Sequence, residues 1–307
     1  MSDKRIIFIV GPTAVGKTEV AIALARRIKG EIVSCDSMQV YRDVAIASNK
    51  PSAQDLKKVP HHLIDIVPPE QDFDVVRFNT LALKAVRNIL AAGKVPVIAG
   101  GSGMYMQILL DGIFKEGKKD SSVREGLKAR LQEQGSLALY TELQKVDRET
   151  ADKIHPNDAR RIIRALEVYR TTQQPLSQVQ KKRSGLWGKY DVRLFALDRP
   201  REELYARINQ RVDAMFDAGL VKEIQGLEHR PLSKTAASII GIKEVRACLQ
   251  GQDGLDEAKA LMKMNTRRLA KRQLTWFRKE KRLKWIFLQK TDKVEEIVNG
   301  IERMLAV

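Results

Sequence analysis

The sequence predicts an α/β protein, a parallel-sheet core interrupted by an all-helical insertion. Three observations predict it. A glycine loop, "GPTAVGKT" at residues 11–18, sits between an apolar run and an amphipathic one. A second apolar run, "KVPVIAG", opens into another glycine turn, "GGSGMY". Between about Ser121 and Arg170 strand signals vanish and helical periodicity remains. Repeated strand, glycine turn and helix characterise doubly wound nucleotide-binding sheets, whose ligands gather at the carboxyl ends of the strands.

Taken in order, "RIIFIV" is a buried strand, and "KTEVAIALARRI" a helix with Val20, Ala23, Leu24 and Ile28 at helical spacing. "EIVS" is a second strand, delivering "CDSMQVYR" at its carboxyl end. "HHLIDIV" is extended and stops at Pro68-Pro69. "DVVRFNTLALKAVRNILAAG" is a helix closed by Gly93, and "KVPVIAG" the strand before the second glycine turn. After "KEGKKDSS" come the helices "SSVREGLKARLQEQG", "SLALYTELQKV" and "PNDARRIIRALEVYRTT". "QQPLSQVQKKRSGLWGK" reads as a polar return linker. "DVRLFALD" resumes the sheet, with helices at "REELYARINQRVDAMFDAG" and "LVKEIQGL". A long C-terminal helix with Ala270, Leu274 and Phe277 as its core stripe leads to a last strand. The expected division is a core of residues 1–120 and 176–307 around an insertion of 121–175.

Composition narrows the function. With 43% hydrophobic and 30% charged residues in 307, the chain is that of an ordinary globular protein. No apolar run approaches the roughly 18–20 residues of a membrane span, and the N-terminal run is too short for a signal-peptide core, so a cytoplasmic protein is expected. Cys35 and Cys248 stand far apart, and the four histidines lack metal-ligand spacing, so neither a disulfide framework nor a zinc site is expected. The net charge of +17 favours a polyanionic partner. Nine bases, Arg267, Arg268, Lys271, Arg272, Arg278, Lys279, Lys281, Arg282 and Lys284, share their stretch with one acid, Glu280. Nucleic-acid contact, with Arg268 and Arg272 on phosphates, competes there with a merely solvated face.

Gly11, Gly16, Lys17 and Thr18 satisfy G-x-x-x-x-G-K-[ST] between strand and helix. Backbone N–H groups of Gly11, Pro12–Val15 (where Pro12 lacks one) and Gly16 can converge on phosphate oxygens at a helix N-terminus. Lys17 adds charge, and the Thr18 hydroxyl is placed to ligate Mg²⁺. Alone, the loop points to ATP, but against a motor or switch ATPase "KVPVIAGGSG" ends in glycines, and Asp65 lies inside "HHLIDIV" instead of at its end. Asp36 follows the second strand, on the same sheet edge. It can cap a short helix or act as a general base, and spacing leaves both readings open. Gln39, Tyr41 and Arg42 offer groups suited to a base or phosphate, or simply to the surface.

"GPTAVGKT", "SCDSMQVYR", "PHHLIDIV", "GGSGMYMQILLDG", "HPNDARRIIRALEVYRTT", "IIGIKE" and "TRRLAKRQLTWFRK" occur in the order seen in tRNA dimethylallyltransferases, which the chain resembles over nearly its whole length. The resemblance implies a P-loop NTPase-like core and a prenyltransferase that moves a dimethylallyl group from dimethylallyl diphosphate to N6 of the adenosine at tRNA position 37. It implies that the loop Gly11, Pro12, Thr13, Ala14, Val15, Gly16, Lys17 and Thr18 holds the diphosphate with Mg²⁺ on Thr18. Asp36 is then the base, Thr13 the contact to the bridging oxygen, and Arg211, ahead of Arg207, the arginine at the leaving group. Expected tRNA contacts are Ser37, Gln39, Tyr41, Arg42, Gly101, Arg160, Arg161, Arg164, Arg268 and Arg272. The insertion resembles the family's mobile domain at the anticodon stem-loop. A monomer of the bacterial type, without a zinc finger, is expected. Val15, Ala45, Ser48, Ser102, Met104 and Ile242 depart from the usual pattern, which puts fine substrate contacts in question. A nucleotide or small-metabolite kinase, and a noncatalytic RNA-binding module, are the competing readings.

Overall fold

The computed structural model describes residues 2–113 and 121–306. The chain runs β1 (Ser2–Val10), α1 (Lys17–Arg27), β2 (Gly30–Ser34), α2 (Ala53–Lys58), β3 (His61–His62), α3 (Val75–Ala91), β4 (Val95–Gly100) and α4 (Gly103–Asp111). Helices α5 (Ser121–Val146), α6 (Arg148–Ala151), α7 (Ala159–Thr172) and α8 (Leu176–Lys181) follow. Then come β5 (Tyr190–Asp198), α9 (Arg201–Asp217), α10 (Leu220–Gln225), α11 (Ile242–Leu249), α12 (Leu255–Phe277), β6 (Lys284–Phe287) and α13 (Val294–Leu305).

The six strands form one parallel sheet in the order β3-β2-β4-β1-β5-β6. β1 is apolar on both faces because both faces are covered, as parallel sheets require. Its alternate residues Ile6, Phe8 and Val10 pack with α3 and α4 through Phe78, Tyr105 and Met106. Ile7 and Ile9 pack with α1 and α13 through Leu24, Val298 and Ile301. Each such fully buried side chain contributes about 1.5–3 kcal/mol. Asp74 starts α3 by accepting from the Arg77 amide at 2.8 Å, and Gly93 turns the chain out of it at φ 72°. The sheet with its helices is a P-loop NTPase-like core. Among the described residues no helix is long and apolar enough to cross a membrane.

The chain divides into two compact units, Met1–Leu110 with Leu186–Val307, and Asp111–Gly185. The second unit is all-helical, with its own core of Leu127, Leu139, Leu143, Ile162 and Leu166. α5 breaks at Gly135 (φ 76°), where the sequence predicts two helices. The unit is wider than residues 121–175. The stretch read as a return linker contains α8, whose Leu176 and Val179 enter that core and whose Ser177 amide donates to buried Asp147 at 2.9 Å. The expected boundary at residue 120 adjoins 114–120, which lie outside the described residues.

Two further expectations need correction. "HHLIDIV" is a strand only at His61–His62, because Leu63 and Asp65 take φ 66° and 55° and turn the chain. The basic C-terminal helix stops at Phe277, so Arg278, Lys279, Lys281 and Arg282 lie in the turn before β6. There Arg282 pairs with Glu280 at 2.6 Å and covers Trp187, while Arg278 reaches Asp198 at 3.6 Å.

Candidate active site

β1 ends at Val10, and residues 11–16 wrap round to the start of α1. Gly11 is obligatory, since a Cβ there would lie 2.5 Å from the Leu197 carbonyl oxygen at φ 147°. Ala14 (φ 66°) and Gly16 (φ 109°) give the loop its left-handed turns. Its carbonyls are held by cations: Arg199 Nε donates to Val15 at 2.9 Å, Arg207 Nε to Ala14 at 2.8 Å, and Lys17 Nζ to Pro12 at 2.6 Å. Among the described hydrogen bonds none is donated by the amides of Ala14, Val15 or Gly16. With carbonyls occupied and amides free at a helix N-terminus, the loop is built for an anion. Val15 is fully buried and serves packing.

β2 and β4 bring the second half of the site. The Cys35 amide donates to Ala99 at 2.7 Å, and a Cβ on Gly100 would lie 2.1 Å from the Cys35 carbonyl oxygen. This close seam sets Asp36 beside the loop. No helix follows Asp36. Its Oδ1 accepts from the Met38 amide at 2.8 Å in an Asx turn, so the helix-cap reading fails. A cavity of about 360 Å³ runs along Thr13, Gly16, Lys17, Thr18, Glu19 and Asp36. A second, of about 420 Å³, is lined by Met38, Met215, Ile239, Ile240, Met262 and Leu269, with Arg272 and Ser37. Both are bounded by Thr13, Asp36, Ser48, Asn49, Gly101, Arg211 and Gln273, which form the waist between them.

The electrostatics of the waist are set mainly by burial. Burial and then the neighbouring Arg211 push Lys17 down to about 7, against the pull of Asp36 and Glu19. Burial raises Asp36 above the usual carboxylate range, opposed by the Met38 amide and Lys17. Arg211 is lowered by burial, and its Nη1 donates to the Thr13 hydroxyl at 3.3 Å. Arg211 thus reaches the Thr13 side chain, whereas Arg207 is spent on the Ala14 carbonyl. Burial, reinforced by Asp36, pushes the Cys35 thiol far up, and Sγ donates to the Ser102 carbonyl at 3.7 Å, so Cys35 is an inert core residue.

The other expected residues divide. Gln39 lines the first cavity, accepting from Ser34 Oγ at 2.9 Å and donating to Asn49 O at 3.1 Å. Tyr41 is not a surface contact: it is fully buried, with its hydroxyl 3.4 Å from Ser233 Oγ, because its aromatic ring is worth more in the core. Arg42 lies away from both cavities and donates to the Asp65 carbonyl at 3.0 Å. Arg268 and Arg272 are exposed on α12 and have no ion-pair partner among the described residues, whereas Arg267 is tied to Asn209. On α7, Arg160 and Arg161 are exposed, and Arg164 pairs with Glu167 at 3.1 Å.

Sequence reasoning missed Gln273, Asn49, Lys50 and Glu223. Lys50 reaches the Tyr41 carbonyl and Asp65, each at 2.5 Å. Glu223 accepts from the amides of Ala45, Ile46 and Ala47 at 2.8, 2.7 and 2.9 Å, so a carboxylate from α10 braces the loop where Ala45 lacks one. Ser48 donates to the Val44 carbonyl within that loop, and Ile242 is buried behind the site. Gln273 alone had a signal, a polar residue between Ala270 and Phe277 on the apolar stripe of α12.

For a metal, the described residues hold no cluster of three or more histidine, cysteine or acidic ligands. The Thr18 hydroxyl lines the first cavity, engaged by no described protein group. One hydroxyl beside an anion cradle fits Mg²⁺ held mostly by substrate oxygens and water.

A P-loop NTPase-like sheet with an anion cradle facing the buried carboxylate of Asp36 defines a group-transfer enzyme of the phosphate-binding class. A profile of the IPP transferase family matches residues 39–280. tRNA dimethylallyltransferase 1 of Trichlorobacter lovleyi is 46% identical over 284 residues, covering 92% of this chain and 93% of the relative. The tRNA dimethylallyltransferase of Acetivibrio thermocellus is 40% identical over 305 residues, covering 98% and 97%. The crystal structure of the tRNA isopentenylpyrophosphate transferase from Bacillus halodurans superposes with a TM-score of 0.72 at 38% identity, covering 99% and 97%. That of a eukaryotic dimethylallyltransferase acting on tRNA gives 0.83 at 28%, covering 99% and 80%. The chain belongs to the IPP transferase family.

Proposed function

We propose that the protein transfers the dimethylallyl group of dimethylallyl diphosphate to N6 of the adenosine 3′ of a tRNA anticodon, position 37, releasing pyrophosphate. Its relatives are tRNA dimethylallyltransferases, and it is a prenyltransferase of the same kind. The observation that carries the finer reading is Asp36, placed at the waist between a polar cavity along the phosphate loop and an apolar one.

The diphosphate occupies the loop amides and Lys17 in the first cavity, directing the prenyl carbon toward the waist. The adenine enters from the second cavity, flipped out of its stack because N6 is otherwise inaccessible. The adenine amine is a weak nucleophile, its lone pair delocalised into the ring. As the N6–C1 bond forms, the C1–O bond breaks, pyrophosphate leaves with the electron pair, and an N6 proton passes to the Asp36 carboxylate. A base with a raised pKa accepts that proton more readily. Lys17, Arg211, Thr13 and the free amides meet the charge growing on the leaving group. Thr18 would hold Mg²⁺, which supplies further neutralisation of the pyrophosphate oxygens.

Ser37, Gly101 and Arg272 line the cavity that admits the base, while Arg268 and the α7 arginines Arg160 and Arg161 lie on tRNA phosphates, with Arg164 beside them. Gln39, already bonded at both ends, reads a base with its remaining hydrogen and lone pair. The enzyme acts as a monomer in the cytoplasm. The test is pyrophosphate release from dimethylallyl diphosphate with Mg²⁺ and an unmodified tRNA carrying adenosines at positions 36 and 37. Release should require the tRNA and disappear in Asp36→Asn, whose amide cannot take the proton. Release without tRNA, or undiminished in Asp36→Asn, removes the assigned mechanism.

A further inference from the structure

Gln273 lies three residues after Ala270 and four before Phe277, both fully buried, on the core-facing side of α12. A carboxamide in such a row must find partners. Its Oε1 accepts from the Thr13 amide at 2.8 Å, and its Nε2 donates to the Gly101 carbonyl at 3.0 Å. One side chain thus staples the phosphate loop after β1 to the glycine turn after β4. The fit is close, since a Cβ on Gly101 would lie 2.4 Å from Nε2. The Thr13 hydroxyl, by contrast, is held among the described residues only by Arg211 at 3.3 Å, a long hydrogen bond.

Two consequences follow. The Thr13 amide is occupied, so it orients the loop instead of binding phosphate, unlike the amides of Ala14, Val15 and Gly16. The direction in which the Thr13 hydroxyl points then depends on Gln273. We propose that Gln273 is a positioning residue of the transfer reaction, holding Thr13 so that its hydroxyl meets the leaving-group oxygen as the C–O bond breaks. This rests on the prenyl-transfer reading above. Only a carboxamide both accepts from Thr13 and donates to Gly101, since a carboxylate cannot donate and a hydrocarbon does neither. Charge on the leaving oxygen grows toward the transition state, so a misplaced hydroxyl lowers kcat more than it raises KM for the donor.

The experiment is a double-mutant cycle of Gln273→Ala and Thr13→Ala, with kcat, donor KM and donor Kd measured on the full-length enzyme. Gln273→Ala should lower kcat by roughly 10–100-fold, the cost of a displacement of about 1 Å, with donor KM and Kd within about threefold. In the Thr13→Ala background the same change should cost less than about threefold. Equal losses in both backgrounds, or wild-type kcat in Gln273→Ala, would overturn the proposal. Should Gln273→Ala fail to fold, Gln273→Met, of similar length and without either hydrogen bond, replaces it in the same cycle. A wild-type enzyme that transfers no prenyl group would instead overturn the underlying reading.

Discussion

Lys17 gives a prediction that can be worked through in numbers. Burial and Arg211 bring its pKa to about 7 in the free enzyme. Its charge is therefore lost as pH rises through neutrality, where an ordinary lysine would keep it to about pH 10. A diphosphate in the loop brings several negative charges against Nζ and restores the proton. At about pH 8 only about a tenth of free enzyme carries the charge, so binding should take up about 0.9 proton; at about pH 6 it should take up about 0.1. The same linkage weakens donor binding about tenfold between those pH values. Titration calorimetry of dimethylallyl diphosphate without tRNA, in buffers of different ionisation enthalpy, reads the proton number directly. Lys17→Arg stays charged throughout and subtracts the ligand's own titration. Proton uptake near pH 8 no larger than that of Lys17→Arg refutes the argument.

Asp36→Ala and Asp36→Asn should each lower kcat by about 10²–10⁴-fold while donor Kd holds, as calorimetry will show. Because burial raises Asp36, the acid limb of the kcat/KM profile should lie above the range of an ordinary aspartate, activity being lost as pH falls through it. Glu223→Ala strands three backbone amides and should cost about 1–3 kcal/mol of stability in denaturant unfolding, with Glu223→Gln intermediate. Neutralising Arg268 and Arg272 together should flatten the log Kd against log salt slope for tRNA by roughly 1–2, and an unchanged slope would reassign them to a solvated face. In thermal unfolding, dimethylallyl diphosphate should stabilise the protein strongly, whereas stabilisation by ATP alone would favour a kinase.

The sheet and the phosphate loop were legible because each rests on local chemistry: unbroken apolar strands, and glycines with Lys17 and Thr18 at fixed spacing. Asp36 was visible as a residue at a sheet edge, but setting the cap reading aside required seeing that no helix follows it. Tyr41 was misplaced because an aromatic beside Arg42 reads the same whether it is buried or on a surface. Gln273 and Glu223 escaped because their partners lie far along the chain: Thr13 is 260 positions from Gln273, and Ala45 is 178 from Glu223. Such pairings follow from which strands neighbour one another, and local periodicity does not encode that. The width of the helical unit was underestimated for a related reason. α8 is short and polar, and only the burial of Leu176 and Val179 marks it as part of that unit's core.

The central claim is that Asp36 and the phosphate loop together move a prenyl group onto one tRNA adenosine. Mass spectrometry of the nucleosides from tRNA incubated with the enzyme, dimethylallyl diphosphate and Mg²⁺ tests it most directly. The account predicts one adenosine per tRNA, at position 37, heavier by a single dimethylallyl group, and none with Asp36→Asn. Unmodified adenosine, or the same product from Asp36→Asn, would contradict it.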